Sequence, residues 1–401
     1  PGYARAGCGL GETLEAMGQK EDALAQFERV IEIDPASFAG YLAIAQLHFA
    51  ADEAADASRV LRRAREHVEL TAEVHRLLGE SELRRGELGA AERELRAALR
   101  LESRDTDALF GLGVTLRKVG RTQEAERAFD QLGAIDPEYP GLSLERGRIF
   151  EALGRPERAV RAYEEALAEQ PSDVELKLRL GAARVAAGDY EAADAVLQEV
   201  LRERADSAEA EHYLGRSSFL AGQNPAALSH LSRACAIDPS VPEFHLWHGQ
   251  ALLAANQIGR ARESVQRALE LDDTVALGHL VSGRVHLRTG AYLDARRDFE
   301  RHLQTSPNDA EGWGGLGEAL DQLSQRSGAI AAFDRAVAIV PNRGDWWYRL
   351  GRLQLDNGHR ADALAALDHV LAPDPHPLSL LGTTPAALHY AAPPVDALAL
   401  M

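Results

Sequence analysis

Residues 12–35 read ETLEAMGQKEDALAQFERVIEIDP, and this stretch is the unit that the rest of the chain repeats. A step of 34 residues from Ala23 always lands on alanine, and the same step from Gly11 lands on glycine except at Ala45. A third column, which begins at Phe27, stays apolar along the chain. A fixed period of this length predicts one array of stacked repeats rather than several independent globular domains.

Each column has a steric reason. We expect the glycine and alanine columns to mark places where two helix backbones approach closely, with the large residue of the third column filling the space beside them. Glycine, asparagine, aspartate or serine stands at the fifteenth position of every repeat and predicts a left-handed or turn conformation that ends the first helix. Proline at the thirty-second position of seven repeats then helps to stop the second helix.

These columns resemble the tetratricopeptide repeat, and the resemblance covers eleven repeats between residues 4 and 377. The tenth repeat shows the pattern most fully, with Trp313, Leu316, Gly317, Leu320, Ala329, Phe333, Ala336 and Pro341. The resemblance implies an all-α fold, a right-handed α-solenoid superhelix of helix-turn-helix repeats, with one domain over residues 1–377. The repeats would begin at residues 4, 38, 72, 106, 140, 174, 208, 242, 276, 310 and 344.

The composition limits the classes of function. A net charge of −18 argues against nucleic acid as a partner, which favours a basic surface. Because the chain has no run of about 18 apolar residues, we expect no membrane span. Cys8 and Cys235 lie in different repeats without the spacing of a disulfide or a zinc site. Localisation stays open between a cytoplasmic protein, which is favoured, and an exported form whose signal peptide has been removed.

No catalytic motif is present in the sequence. The run GWGGLG at residues 312–317 matches a dinucleotide-binding pattern, but that pattern has its meaning only between a strand and a helix. Here it lies inside the first helix of a repeat. We therefore expect a protein that is not an enzyme and that uses no cofactor and no metal.

The candidate partner-binding residues lie at positions five, nine and twelve of the first helix, helix A, of each repeat. In the family that the chain resembles, these positions line a concave groove. The candidates are arginines at position nine and apolar residues at positions five and twelve: Arg148, Arg216, Arg284, Arg352, Phe110, Leu144, Leu178, Phe219, Leu246, Leu253, Leu280, Leu287 and Tyr348. They predict a partner protein or peptide that is acidic and carries apolar anchors. Two structural alternatives stay open: the apolar side chains pack between neighbouring A helices, or each arginine pairs with a neighbouring glutamate.

Repeats eight and nine depart from the core pattern at His248, Ser282, His286 and His302. One interpretation is an exchange of volume, in which a small Ser282 makes room for His302 and the buried imidazoles are hydrogen-bonded. The other is a metal or pH-sensitive site, although no carboxylate at ligand spacing is evident in the sequence.

The last 24 residues, 378–401, are apolar and predict either a cap on the final repeat or an arm exchanged with another subunit. The sequence as a whole predicts a non-catalytic protein-binding scaffold. One alternative is a subunit that assembles with itself through the solenoid ends or through this tail. The other is the recognition arm of an enzyme whose catalytic domain lies outside this chain.

Overall fold

The computed structural model describes residues 2–69 and 71–371, and no residue in these ranges belongs to a β-strand. The all-α prediction of paired helix-turn-helix repeats is confirmed. The predicted cap or arm at residues 378–401 lies outside the described residues. In chain order the helices are α1 Gly2–Ala16, α2 Lys20–Ile33, α3 Phe38–Ala50, α4 Ala54–Ala64, α5 Ala72–Arg84, α6 Leu88–Leu101, α7 Thr106–Lys118, α8 Thr122–Ile135, α9 Leu142–Ala152, α10 Pro156–Glu169, α11 Val174–Ala187, α12 Tyr190–Glu203, α13 Ala208–Leu220, α14 Asn224–Ile237, α15 Pro242–Ala254, α16 Ile258–Leu271, α17 Gly278–Thr289, α18 Tyr292–Thr305, α19 Ala310–Gln322, α20 Arg326–Ile339, α21 Gly344–Asp356 and α22 Arg360–Leu371.

The chain divides into two compact units, unit 1 at Pro1–Leu176 and unit 2 at Lys177–Met401. Odd-numbered helices are the A helices of the repeats and even-numbered helices are the B helices. Within unit 1, α5 packs on α6 and α6 on α7, and within unit 2, α13 packs on α14 and α14 on α15. The single domain over residues 1–377 stays a prediction. Within the described residues, no helix combines the length and the apolar character needed to cross a bilayer.

The glycine column of helix A faces the apolar column of helix B. A Cβ atom built on Gly79 would lie 2.5 Å from Cγ of Leu95, and one on Gly113 would lie 2.5 Å from Cε1 of Phe129. Both distances are far inside van der Waals contact, so only glycine lets the two helices pack at this separation. The steric reason inferred from the sequence is therefore confirmed.

Left-handed backbone ends every A helix, as the fifteenth position predicts. The φ angle is positive at Gly18, Asp52, Gly86, Gly120, Gly154, Gly188, Gly222, Asn256, Gly290, Ser324 and Gly358. In repeats five and nine, a second left-handed residue precedes helix A, at Gly141 and Leu277. These residues delay the start of α9 and α17, and the repeat pattern gave no indication of them.

Side chains at position four join several repeats to the repeat before them. The indole Nε1 of Trp313 donates to the carbonyl of Pro307 at 2.8 Å, and that of Trp347 donates to the carbonyl of Pro341 at 2.7 Å. The proline ends the preceding B helix, so its carbonyl has no helical partner, and the indole satisfies it.

The unusual histidines of repeats eight and nine are hydrogen-bonded, as the volume-exchange interpretation predicts. His248 donates to the hydroxyl of Ser264 at 3.1 Å, and His286 donates to Asp298 at 2.8 Å. Asp298 also accepts from Ser282 at 2.6 Å. The hydrogen bond to Asp298 raises the pKa of the His286 imidazole. Burial instead lowers the pKa of His248 to about 4.

The predicted exchange between Ser282 and His302 stays a prediction, and the structure shows another source of space for His302. His302 is buried and its Nε2 donates to Asp309 at 2.6 Å, while a Cβ on Gly312 would lie 2.8 Å from the His302 ring. Gly312 therefore leaves space for this imidazole. Asp309 also caps α19 by accepting the amide of Glu311 at 2.9 Å, so the imidazole supports a helix start.

Gly113→Ala should reduce the free energy of unfolding by about 1–3 kcal/mol, because the new methyl group would overlap the buried Phe129 ring. Gly9→Ala is the matched control, since Gly9 also lies inside a helix but has nothing within 4 Å of its added Cβ. This control should gain about 0.5–1 kcal/mol from helix propensity. Urea unfolding followed by circular dichroism measures both changes. Equal effects of the two substitutions would contradict the close approach at Gly113.

The buried imidazole of His212 predicts a loss of stability at acid pH. Burial, and secondarily the charge of Arg216, lowers the pKa of His212 from 6.5 to about 3. Protons therefore bind the unfolded chain in preference to the folded chain between these two values. From this residue alone, the free energy of unfolding should fall by about 1.4 kcal/mol per unit as the pH is lowered through this window.

Urea unfolding at a series of pH values measures this slope, with His212→Phe as the comparison because phenylalanine keeps an aromatic ring and removes the titration. The wild-type protein should lose stability more steeply than the variant between about pH 6 and about pH 4. Parallel curves for the two proteins would contradict a neutral, buried His212.

Candidate partner-binding surface

The predicted binding residues lie on A helices in both units. In unit 2, α13, α15, α17 and α19 contact one another in succession. We call their accessible side chains at positions five, nine and twelve the A-helix surface of unit 2. Phe110, Leu144 and Arg148 belong to unit 1.

The unit 1 candidates make contacts within their own unit. The Phe110 ring lies 5.0 Å from the Tyr139 ring between centroids, and Leu144 is half-buried. Arg148 donates to Glu145 at 2.6 Å, and Glu145 also accepts from Arg117 at 2.6 Å. The guanidinium of Arg148 is therefore paired with a carboxylate of its own unit.

Two of the three candidate arginines in unit 2 are also paired with carboxylates of the same chain. Arg284 donates to Glu311 at 2.9 Å, and Arg352 forms an ion pair with Asp321. Glu311 also accepts from Arg343 at 2.6 Å. The alternative in which each arginine pairs with a neighbouring acid therefore describes Arg148, Arg284 and Arg352.

Arg216 is different from the other three arginines. Its guanidinium lies 4.6 Å from the centroid of the Trp247 ring and 5.5 Å from that of Tyr213, so it is held between aromatic faces. Among the described residues, no carboxylate is within ion-pair distance of it. In that part of the chain, its Nε also has no hydrogen-bond partner, a feature that it shares with Arg352. Burial removes water from this guanidinium and therefore lowers its pKa.

Two further polar side chains on α13 and α15 have an unsatisfied atom. In the described part of the chain, Nδ1 of His212 and Nε2 of Gln250 have no hydrogen-bond partner. His212 lies one helical turn before Arg216, and Gln250 lies one turn after Trp247. Buried polar atoms normally find a partner in a folded protein, so a group of three such side chains is unusual.

The apolar candidates of unit 2 differ in how much surface they offer. Leu246 and Leu280 are only 2% and 5% exposed and belong to the apolar core, so they present almost nothing to a partner. The remaining apolar candidates are half-buried and keep part of their surface accessible: Leu178, Phe219, Leu253, Leu287 and Tyr348.

The residues that the sequence interpretation missed are Tyr213, Trp247 and Gln250. The two aromatic residues occupy position six of repeats seven and eight, next to the position-five column. Their recurrence 34 residues apart was a usable signal. The Phe219 ring meets Trp247 edge-on, with centroids 6.0 Å apart, which extends the aromatic patch to position twelve.

Comparison with known proteins gives partial relatives in sequence. Cellulose synthase operon protein C of Komagataeibacter xylinus is 40% identical over 63 residues, a stretch that covers 16% of this chain and 5% of that protein. The protein of the same name from Komagataeibacter sucrofermentans matches to the same extent. The chain therefore matches only a small part of the length of these curated relatives.

Solved structures give likenesses of fold. A tetratricopeptide repeat protein from Parabacteroides merdae has a TM-score of 0.55 at 18% identity, covering 62% of this chain and 98% of that one. The APC/C hetero-tetramer Cut9-Hcn1 has a TM-score of 0.48 at 12% identity, with coverages of 90% and 85%.

Two family models described as tetratricopeptide repeat match the sequence. One matches residues 14–80, 151–214 and 323–380, and the other matches residues 76–140, 246–310 and 281–344. These matches together cover most of the chain, and the helix pairs of both units fit them. The fold is typically a non-catalytic scaffold for protein interactions. The chain belongs to the tetratricopeptide repeat family.

Proposed function

We propose that the chain is a non-catalytic scaffold that binds an acidic, apolar segment of a partner protein on the A-helix surface of unit 2, with Arg216 as the charged anchor. The observation that carries the proposal is the half-buried guanidinium of Arg216, which has no carboxylate partner among the described residues.

Burying the unpaired charge of Arg216 has a cost in free energy. A partly buried cation loses hydration, and this loss is normally offset by hydrogen bonds to an acid. The aromatic faces of Tyr213 and Trp247 offset part of it but accept no strong hydrogen bond. A carboxylate from a partner would supply that bond and gain more here than at a fully solvated arginine.

The orphan amide of Gln250 supports a polar recognition site at the same place. Gln250 is half-buried, and its Nε2 can donate to a partner carbonyl or carboxylate without first breaking a side-chain hydrogen bond. His212 is only 5% exposed, so its imidazole stays in the core and is not part of this site.

Side chains at position twelve of the A helices form the apolar part of the proposed site. Phe219, Leu253 and Leu287 succeed one another on neighbouring A helices, and each packs on the core while remaining half-exposed. Burying accessible apolar surface there would stabilise a complex by about 25 cal/mol per Å² before ordering costs. An amphipathic helix or an extended segment with aliphatic anchors fits this row.

The negative charge of the whole chain does not oppose this assignment. At physiological ionic strength, the screening length is about 8 Å, so distant surface acids interact weakly with a partner carboxylate. A partner carboxylate bound at Arg216 would contact a poorly solvated guanidinium directly. The attraction of Arg216 therefore outweighs the repulsion from distant acids at this place. The net charge of −18 acts mainly on long-range approach.

A phage-displayed library of random peptides, selected against the full chain, tests the proposal and requires no identified partner. We expect enriched peptides to combine aspartate or glutamate with aliphatic or aromatic residues. Fluorescence polarisation should then show that Arg216→Gln weakens a selected peptide by about 1.5–3 kcal/mol, the value of a hydrogen bond to a charged group.

Arg284→Gln is the matched control on the same surface. Arg284 already pairs with Glu311, and Glu311 keeps Arg343 as a partner after the substitution. Its effect on peptide affinity should stay below about 0.5 kcal/mol. Enriched peptides without acidic residues, or equal losses for the two variants, would reject the site.

A further inference from the structure

Repeat two contains a separate group of metal-ligating side chains. His48 lies in the last turn of α3, Glu53 stands just before α4, and Asp56 lies in the first turn of α4. One ligand atom from each of the three lies within 4.8 Å of the other two. Small side-chain rotations would bring all three atoms within bonding distance of a single ion.

The turn between the two helices creates this group. Asp52 has a φ of 59°, and the amide of Glu53 donates to the carbonyl of His48 at 2.8 Å. The chain reverses there, so that position eleven of helix A meets positions sixteen and nineteen at the start of helix B. Repeat two is the only repeat in the sequence with histidine, aspartate or glutamate at all three of these positions.

We propose that His48, Glu53 and Asp56 bind a divalent transition-metal ion of the Zn²⁺ class. An imidazole nitrogen with two carboxylate oxygens is a ligand set that suits zinc, and three protein ligands leave a position for water. Nδ1 of His48 now lies 2.8 Å from Oε2 of Glu53, so the ion would replace the proton shared by these atoms.

The site is open to solvent. His48 is the least exposed ligand, whereas both carboxylates reach solvent. An ion from solution therefore has access to the site without opening of the repeat.

Two basic side chains compete with a metal ion. Nζ of Lys20 lies 3.7 Å from Oε2 of Glu53, and Arg59 lies 2.6 Å from Oδ1 of Asp56. Both basic side chains lie at the surface and can rotate away from the carboxylates. Each would lose an ion pair when the metal binds. Removing Lys20 should therefore strengthen metal binding.

Isothermal titration of the full chain with Zn²⁺ near neutral pH tests the proposal. We expect saturable binding that His48→Gln and Asp56→Asn each weaken by at least about tenfold. His75→Gln is the matched control, because His75 pairs with the single carboxylate Glu94 in the neighbouring repeat. This control should keep the affinity of the wild-type protein.

Lys20→Gln distinguishes metal ligation from a structural effect of substitution. This variant removes a competing base and should therefore bind Zn²⁺ more tightly than the wild-type protein, whereas structural damage would weaken binding. Circular dichroism verifies that all variants fold. No saturable binding by the wild-type protein, or equal affinity after His48→Gln, would overturn the proposal. A loss of affinity in His75→Gln equal to that in His48→Gln would overturn it as well.

Discussion

The fold depends on one contact that recurs along the chain: a glycine of helix A against a large side chain of helix B. At Gly79 and Gly113, the missing Cβ is what allows Leu95 and Phe129 to lie against the backbone of the partner helix. The contact fixes the separation of the two helices in a repeat. Once that separation is set, the alanine column and the left-handed residue at the fifteenth position complete the helix pair. The side chains that remain on the A helices are then available for binding.

The fold was largely predictable because its constraints are local and periodic. The left-handed turn after each A helix was predicted even at Asp52, Asn256 and Ser324, since its position is set by the repeat and not by glycine alone. The left-handed residues Gly141 and Leu277 were not predicted. They occupy a position that is helical in the other repeats, and one of them is a leucine, whose side chain gives no indication of this conformation.

The candidate site was predicted only in part, because position along the repeat gives the surface but not the hydrogen bonds. The arginines at position nine follow a strict spacing, yet the acids that neutralise three of them come from different columns. Glu145 precedes Arg148 by one turn, Glu311 belongs to the next repeat, and Asp321 to the previous one. Tertiary geometry therefore decides that Arg216 is the exception. Tertiary geometry also decides the role of Asp298. Its hydrogen bonds to Ser282 and His286 connect α18 with α17, and the residue spacing within each helix does not predict them.

We propose that the unpaired guanidinium beside Tyr213 and Trp247 anchors an acidic partner, and a crystal structure of the full chain with a library-selected peptide tests this proposal. We expect a peptide carboxylate at about 2.7–2.9 Å from the Arg216 guanidinium, with an apolar peptide side chain against Phe219. A peptide bound to the B helices, or one that leaves Arg216 without an acceptor, would contradict it.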